Sequence, residues 1–206
     1  NGVKHDQFEG KGVLNNTISC IIFDMLEEAG IKTHMIKKLN ERDILVKKVD
    51  IFPLEVIIRN ITTGSFCKRL GAPEGIVLDE PIFEMSYKND EYGDPLINDD
   101  HAVALKLATR EELAYIKETT LKINELLKEF FLSMNLKLVD FKIEFGKTAD
   151  GTILLADEIF NPRNQLFIIP YTDSVLQCLL VILGQITGEN LKNQFRLLRR
   201  LFAEYG

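Results

Sequence analysis

Residues 140–145 alternate strictly between charged and apolar side chains, and this pattern constrains the fold more than any other part of the sequence. Asp140, Lys142 and Glu144 are separated by Phe141 and Ile143. Because successive side chains of a β-strand point to opposite faces, the pattern predicts a strand with charges on one face and apolar residues on the other. Three ionisable groups of both signs are therefore expected to share one face of a sheet.

A second strand with a carboxylate is predicted next to the first. The turn residues Asp150 and Gly151 lead into an apolar run at 152–159 that carries Asp157. Two carboxylates on adjacent strands with a lysine nearby suit Mg²⁺ and a nucleotide phosphate, because Mg²⁺ usually takes only one or two protein carboxylates. A solvated sheet face with compensating charges is the alternative, and spacing alone does not decide between the two.

Residues 51–65 carry a different set of polar groups. Alternation places Glu55, Ile57 and Arg59 on one strand face, and the strand ends in a turn that contains Gly64 and Ser65. Exposed backbone N–H groups at such a turn and the planar guanidinium of an arginine suit a phosphate or carboxylate. An edge strand with an ion pair between Glu55 and Arg59 is the competing interpretation.

The remaining elements follow from periodicity and from turn residues. Helices are predicted at 13–29, at 66–70 with Ser65 as N-cap, from Thr109 onwards with a capping box and a stripe from Leu113 to Met134 that includes Phe130, and at 174–187 and 189–205. Strands are predicted at 33–36, 44–50, 54–61, 82–87, 136–145 and 152–159, the first three forming an antiparallel ribbon. A polar loop is expected at 88–100.

Composition narrows the class of partner. The chain has 206 residues and a formal net charge of −6, which argues against a nucleic-acid backbone as partner. The apolar run at 175–186 is too short to cross a bilayer, so no membrane partner is expected. Cys20, Cys67 and Cys178 lack metal-site spacing and are predicted to be buried thiols in a reducing, cytoplasmic compartment. The histidines His5, His34 and His101 are expected to be structural or solvent-facing.

Both alternating segments resemble the signature motifs of the SAICAR synthetase family. One is a hydrophobic pair, Pro, Glu, Arg and then Thr-Gly-Ser, and the other is hydrophobic-Asp-x-Lys-x-Glu-Phe-Gly. Further agreement lies in Gly10-Lys11-Gly12, Leu45-Val46-Lys47-Lys48, Gly93-Asp94-Pro95-Leu96 and Leu155-Ala156-Asp157-Glu158. The resemblance covers residues 1–159. It implies a two-lobed α+β fold with antiparallel sheets, flanking helices and an ATP cleft between the lobes.

The resemblance also implies a domain division and an activity. Residues 1–50 would be the remainder of an N-terminal ATP-binding lobe, 51–159 the catalytic lobe, and 160–206 a helical tail. The activity would be an ATP-dependent ligation of L-aspartate to carboxyaminoimidazole ribotide in de novo purine biosynthesis, with release of ADP and phosphate. ATP and Mg²⁺ would be the cofactors, and a homodimer is possible.

Site residues are carried over from the resemblance one by one. Glu144 and Asp157 would bind Mg²⁺ and, together with Lys47, the nucleotide. Arg59, Ser65 and Asp94 would bind the substrates, while the catalytic residues Asp140 and Lys142 would line the same cleft.

The sequence departs from the family pattern at both ends. Members of the family begin with a further β-rich segment, which would lie upstream of residue 1. A loop of that segment covers the ATP phosphates. It continues with Ser-Pro-Asp and Arg-Leu-Trp-Asp where this chain has Phe160-Asn161-Pro162-Arg163 and no tryptophan. Residues 160–206 are thus expected to lie outside the resemblance, and the family's arginine is not assigned to Arg163. Two competing hypotheses remain. The chain is an inactive nucleotide-binding or assembly module, or it is a ligase for another carboxylate.

Overall fold

The computed structural model describes residues 11–157 and 166–170. Its helices are α1 (Lys11–Glu28), α2 (Gly64–Leu70), α3 (Asp99–Ala104) and α4 (Arg110–Leu132), with one 3₁₀ turn at Asp90–Tyr92. Its strands are β1 (Met35–Lys38), β2 (Ile44–Val46), β3 (Asp50–Ile51), β4 (Leu54–Ile61), β5 (Val77–Tyr87), β6 (Leu96–Ile97), β7 (Leu136–Lys147), β8 (Ile153–Ala156) and β9 (Leu166–Pro170). This mixture of helices and antiparallel sheets confirms the α+β class.

The long strand β7 is the centre of the main sheet. Its neighbours on one side are β4 and β3, and on the other side it pairs with β9 along its first half and with β8 along its second half. All four pairings are antiparallel, and β5 and β6 extend the sheet beyond β4. The segment with the strict alternation is therefore a central strand.

One face of the sheet carries the hydrophobic core. The even-numbered positions of β4 and the odd-numbered positions of β7 from Val139 to Phe145 are buried, including Ile58 and Phe141. Helix α4 covers this face, and its Asn124 exchanges two side-chain hydrogen bonds with Asn60 of β4, at 2.8 and 3.0 Å. The opposite face of the sheet is thereby left for the charged residues.

Helix α1 and the β1–β2 ribbon pack against the end of β8. Phe23 of α1 contacts the ring of His34 edge-on, and both residues are buried. The backbone N–H and the ring Nδ1 of His34 both lie within hydrogen-bond distance of the Leu155 carbonyl oxygen, at 2.9 and 3.1 Å. The chain just before Asp157 is thus tied to the first part of the sequence.

Several predictions need correction. The N-cap of α2 is Thr63 and not Ser65, because the helix begins at Gly64 and the Ser65 hydroxyl instead meets Arg59. Only β1 and β2 form the predicted ribbon, since β4 pairs with β5 and β7. In α4 the predicted Phe130 packs against the core as a partly buried residue, and the neighbouring Phe131 is buried as well.

Other predictions are confirmed or lie outside the described residues. The capping box at Thr109 is present, and Cys20 and Cys67 are buried free thiols. The helices at 174–187 and 189–205, together with His5 and Cys178, fall outside the described residues. Within residues 11–157 and 166–170, no helix combines the length and apolar character that a membrane crossing requires.

Candidate active site

The face of the sheet that α4 leaves uncovered carries a continuous set of ionisable side chains, here called the charged face. Strand register sets its layout: Ile57 lies opposite Glu84 of β5 and opposite Lys142 of β7, and Arg59 lies opposite Asp140. Residues directly opposite in antiparallel strands share a face. The charged face comprises Glu55, Arg59, Glu84, Asp140, Lys142 and Glu144 from the strands, with Ser65, Arg69, Lys88 and Asp157 at its margins.

Arg59 is the most highly coordinated cation of the charged face. Its Nε donates to Glu84 at 2.8 Å, its Nη1 donates to Asp140 at 2.9 Å, and its Nη2 donates to the Ser65 hydroxyl at 3.1 Å. The guanidinium also lies 5.9 Å from the centre of the Phe66 ring. Burial raises the pKa of Asp140, while the charge and the hydrogen bond of Arg59 oppose that rise. Arg59 and Ser65 are therefore brought together, as are Arg59 and Asp140.

Lys142 pairs with a carboxylate on the neighbouring strand. Its Nζ donates to Glu55, which lies diagonally across β4, and both side chains are largely buried. The alternative ion pair between Glu55 and Arg59 is therefore not what the structure contains. Strand β4 is also a central strand rather than an edge strand, because β5 and β7 flank it.

Glu144 is held by a lysine from the loop after β5. The Nζ of Lys88 donates to both carboxylate oxygens, at 2.6 and 2.7 Å. Burial raises the pKa of Glu144; the hydrogen bond from Lys88 opposes this rise, and the charge of Asp157 adds to it. For Lys88, burial favours the neutral amine, but the hydrogen bond and charge of Glu144 outweigh burial and raise the pKa. Glu144 is buried in this pair, whereas the Lys88 side chain is 47% exposed.

Asp157 directly follows β8 and has a backbone φ of 61°. Ala156 lies opposite Glu144, so a regular strand would turn the next side chain to the other face. The left-handed conformation ends that alternation. The charge of Asp157 acts on Glu144, Lys88 and His34, so its carboxylate lies near all three. Non-glycine residues with positive φ are uncommon and cluster at functional sites.

Glu144 and Asp157 are the residues that could hold a metal ion. No cluster of three or more potential metal ligands occurs in the part of the chain that the structure describes. Two adjacent carboxylates nonetheless suit Mg²⁺, which fills its remaining positions with phosphate oxygens and water. The cation Lys88 already bridges both oxygens of Glu144, which indicates that this position accommodates positive charge. The donor set therefore fits Mg²⁺ and a nucleotide phosphate.

Two predicted site residues are not part of this set of contacts. Lys47 is exposed and follows β2, where its backbone N–H donates to the His34 carbonyl oxygen at 2.7 Å. The carboxylate of Asp94 accepts from the backbone N–H of Asn89 at 2.8 Å and so shapes the loop that carries Lys88. The roles of both residues in substrate or nucleotide binding stay predictions.

Sequence reasoning missed three residues of the charged face: Glu84, Lys88 and Arg69. The first two could have been found, because Glu84, Ser86 and Lys88 alternate with apolar residues at the end of β5. Their importance depends on β5 lying beside β4 in a particular register. Arg69 could not have been found from strand alternation, because it lies on helix α2 and contacts the charged face from there.

Comparison with known proteins places this arrangement in one family. The family model described as SAICAR synthetase matches residues 1–168. A phosphoribosylaminoimidazole-succinocarboxamide synthase of Finegoldia magna is 64% identical over 159 residues, which are 77% of this chain and 68% of the relative. The corresponding synthase of Streptococcus uberis is 57% identical over 164 residues, covering 80% of this chain and 70% of the relative.

Solved structures agree with the sequence relatives. A structure described as SAICAR synthetase (Type-2) in complex with ADP superimposes with a TM-score of 0.81 at 41% identity, covering 92% of this chain and 86% of that one. A SAICAR synthetase of Pyrococcus horikoshii gives a TM-score of 0.80 at 41% identity, covering 96% and 84%. The charged face, the overall fold and the relatives agree: the chain belongs to the SAICAR synthetase family, whose members are ligases.

Proposed function

We propose that this chain joins the amine of L-aspartate to the carboxyl group of carboxyaminoimidazole ribotide, with ATP converted to ADP and phosphate. The observation that carries the proposal is the charged face, on which Arg59 of β4 lies beside Lys142 and Glu144 of the neighbouring strand β7. The substrates are anionic, and such a face offers both cations and metal-binding carboxylates. The ligase is an enzyme of purine biosynthesis, as its relatives' names indicate.

The reaction requires two steps that the side chains of the charged face can support. The ribotide carboxylate attacks the γ-phosphorus of ATP, which gives an acyl phosphate and ADP. The aspartate amine then attacks the acyl carbon, and the amide forms with loss of phosphate. Positioning and electrostatic stabilisation account for such phosphoryl transfer, so no side-chain nucleophile is needed. We propose that Lys142, whose Nζ pairs with Glu55, stabilises the negative charge that develops on the transferred group.

Arg59 and Ser65 are proposed to bind the ribotide. A guanidinium has five N–H donors, and the three contacts of Arg59 leave two of them for an oxyanion. The Ser65 hydroxyl accepts from Arg59, so its own proton can be donated to the same oxyanion. Asp140 orients Arg59 from the side of β7, and we propose that its catalytic contribution acts through this contact.

Glu144 and Asp157 are proposed to hold Mg²⁺ with the nucleotide. When bound, the ion would neutralise charge on the ATP phosphates. The ADP complex of a related SAICAR synthetase supports a nucleotide site in this fold. Lys88 contacts both oxygens of Glu144, so the ion would either share this carboxylate with Lys88 or take its place. Lys47 and Asp94 are proposed to contact the nucleotide and the substrates, respectively.

The test of the proposed function is a product assay with all three substrates. We expect release of ADP and phosphate only when both aspartate and the carboxylated ribotide accompany ATP and Mg²⁺. ATP binding without such release would support the nucleotide-binding module instead. Turnover with other amine donors but not with aspartate would indicate a ligase of different specificity.

Activity in the cytoplasm and assembly as a homodimer are further parts of the proposal. Light scattering of the purified chain would test the dimer.

A further inference from the structure

Glu84 connects two arginines from different elements. Its Oε2 accepts from Nε of Arg59 on β4 at 2.8 Å, and its Oε1 accepts from Nη2 of Arg69 on α2. The Glu84 side chain is 13% exposed. One largely buried carboxylate therefore holds two guanidinium groups next to each other.

Helix α2 brings a hydroxyl to the same place. Ser65 and Arg69 are four residues apart on α2, so they lie on one helix face. Ser65 meets Nη2 of Arg59 at 3.1 Å, while Arg69 meets Glu84. This face of α2 is therefore directed at the Arg59–Glu84 pair. Arg69 is the more accessible arginine, with its side chain 37% exposed compared with 7% for Arg59.

The chemistry of this cluster matches a phosphate better than a single carboxylate. Two adjacent guanidinium groups repel each other, and the carboxylate of Glu84 offsets that repulsion while fixing both groups. A partly exposed ion pair such as the one between Arg69 and Glu84 contributes little to stability. Two arginines and a hydroxyl offer several charge-assisted donors to a tetrahedral dianion.

We propose that Arg69 is a phosphate-binding residue and that Glu84 is a positioning residue that holds Arg59 and Arg69 as a two-arginine site for the ribotide phosphate. This inference rests on the proposed function, in which Arg59 and Ser65 bind the ribotide. Glu84 acts through the arginines, because its own charge would repel the ligand.

The test combines direct binding with steady-state kinetics in the full chain. Ribose 5-phosphate is titrated and followed by ³¹P NMR, and the KM of the ribotide, the KM of ATP and kcat are measured separately. Arg69→Met and Glu84→Gln are compared with Lys68→Met on the same helix and Glu80→Gln on the same strand, both of which alter exposed residues. Thermal unfolding of each variant controls for loss of structure.

We expect Arg69→Met and Glu84→Gln each to weaken ribose 5-phosphate binding and to raise the ribotide KM about tenfold, the effect of about 1.4 kcal/mol. The KM of ATP and kcat should change less than about threefold, because the loss concerns ground-state binding. The two control variants should bind like the wild type.

Wild-type affinity for ribose 5-phosphate in Arg69→Met would overturn the inference, even if Glu84→Gln failed to fold. An equal loss of affinity for the carboxylated nucleoside that lacks the phosphate would also overturn it, because the anion bound would then be the carboxylate. The proposed function fails separately: wild-type chain that binds ribose 5-phosphate through Arg69 but forms no amide would retain the two-arginine site and lose the ligase assignment.

Discussion

Asp157 combines a carboxylate with a left-handed backbone, and this combination determines how it should be tested. Its φ of 61° is tolerated by Asn, whose short polar side chain stabilises the same conformation, but disfavoured for most other residues. Asp157→Asn therefore removes the charge and keeps the backbone. We expect this variant to lose turnover while its midpoint of thermal unfolding stays close to that of the wild type.

The matched control for this variant is Asp79→Asn, which neutralises an exposed carboxylate on β5. It should leave turnover unchanged. Unchanged turnover in Asp157→Asn would remove this residue from the proposed metal site.

His34 predicts a pH dependence of stability. Burial lowers its pKa, and the hydrogen bond to Leu155 and the charges of Asp157 and Glu27 only partly oppose this. The unfolded chain takes up a proton near the ordinary histidine pKa of about 6.5, whereas the folded chain resists protonation. Since the unfolded state then binds more protons, stability should fall as the pH drops through this value.

Urea unfolding at pH 7.5 and at pH 5.5 measures this effect. In His34→Asn, the side-chain amide can replace Nδ1 as donor to Leu155 without titrating. The wild type should lose more free energy of unfolding between the two pH values than this variant does. Equal losses would show that His34 does not carry the dependence.

At the scale of elements, Gly146 shows why the second signature motif ends in glycine. A Cβ at this position would lie 2.5 Å from Cγ2 and 2.8 Å from Cβ of Val49, and 3.2 Å from Cδ1 of Ile51. The close approach of the β3 segment to β7 therefore requires a residue without a side chain. This glycine serves packing, and it fixes the sheet two residues after Glu144.

We expect Gly146→Ala to lower the free energy of unfolding by about 1–3 kcal/mol, the usual cost of overpacking. Val49→Ala removes both γ-methyl groups, including the nearest one, but keeps Cβ, so it should restore only part of this loss in the double variant. Denaturant unfolding of the two single variants and the double variant gives the coupling energy. If the two substitutions have additive effects on the free energy of unfolding, the contact between residues 49 and 146 does not cause the loss of stability in Gly146→Ala.

Helix α4 supports the sheet from the apolar side, and its N-terminus is fixed by a capping box. The Thr109 hydroxyl accepts from the Glu112 backbone N–H at 3.2 Å, and the Glu112 carboxylate accepts from the Thr109 backbone N–H at 2.8 Å. Thr109→Ala should cost about 1 kcal/mol of unfolding free energy. Thr109→Ser keeps the hydroxyl, so its stability in the same denaturant titration should remain near that of the wild type.

Local patterns allowed some elements to be predicted and not others. The strict alternation around Lys142 and the capping box at Thr109 are local features, so the strand and the helix could be read from the sequence. The contact between Arg59 and Glu84 could not, because it depends on the register between β4 and β5. The Ser65 hydroxyl was wrongly assigned to capping because Arg59 competes for it across the fold.

At the scale of the whole molecule, the charged face carries one more carboxylate than cation. The carboxylates are those of Glu55, Glu84, Asp140, Glu144 and Asp157, and the cations are Arg59, Arg69, Lys88 and Lys142. The surplus sits at the Glu144–Asp157 end, where a divalent ion would be the largest local charge. A polyanionic nucleotide is therefore not attracted to this end without the ion.

Nucleotide binding should consequently depend on the metal. We expect titration calorimetry to show ATP binding at least about tenfold weaker with chelator than with millimolar Mg²⁺, a difference of about 1.4 kcal/mol or more. In Asp157→Asn, the affinity for ATP should be nearly the same with Mg²⁺ as with chelator. Equal affinity of the wild type for ATP with and without Mg²⁺ would contradict this prediction. The arginine and lysine side chains of the charged face would then bind the nucleotide without the ion.

The convergence of Glu144 and Asp157 on one ion is tested most directly by a crystal structure with Mn²⁺ in place of Mg²⁺ and a non-hydrolysable ATP analogue. Anomalous scattering should place the Mn²⁺ between the two carboxylates and against the phosphates. An ion bound to the phosphates elsewhere, with the Lys88–Glu144 pair intact, would contradict the assignment.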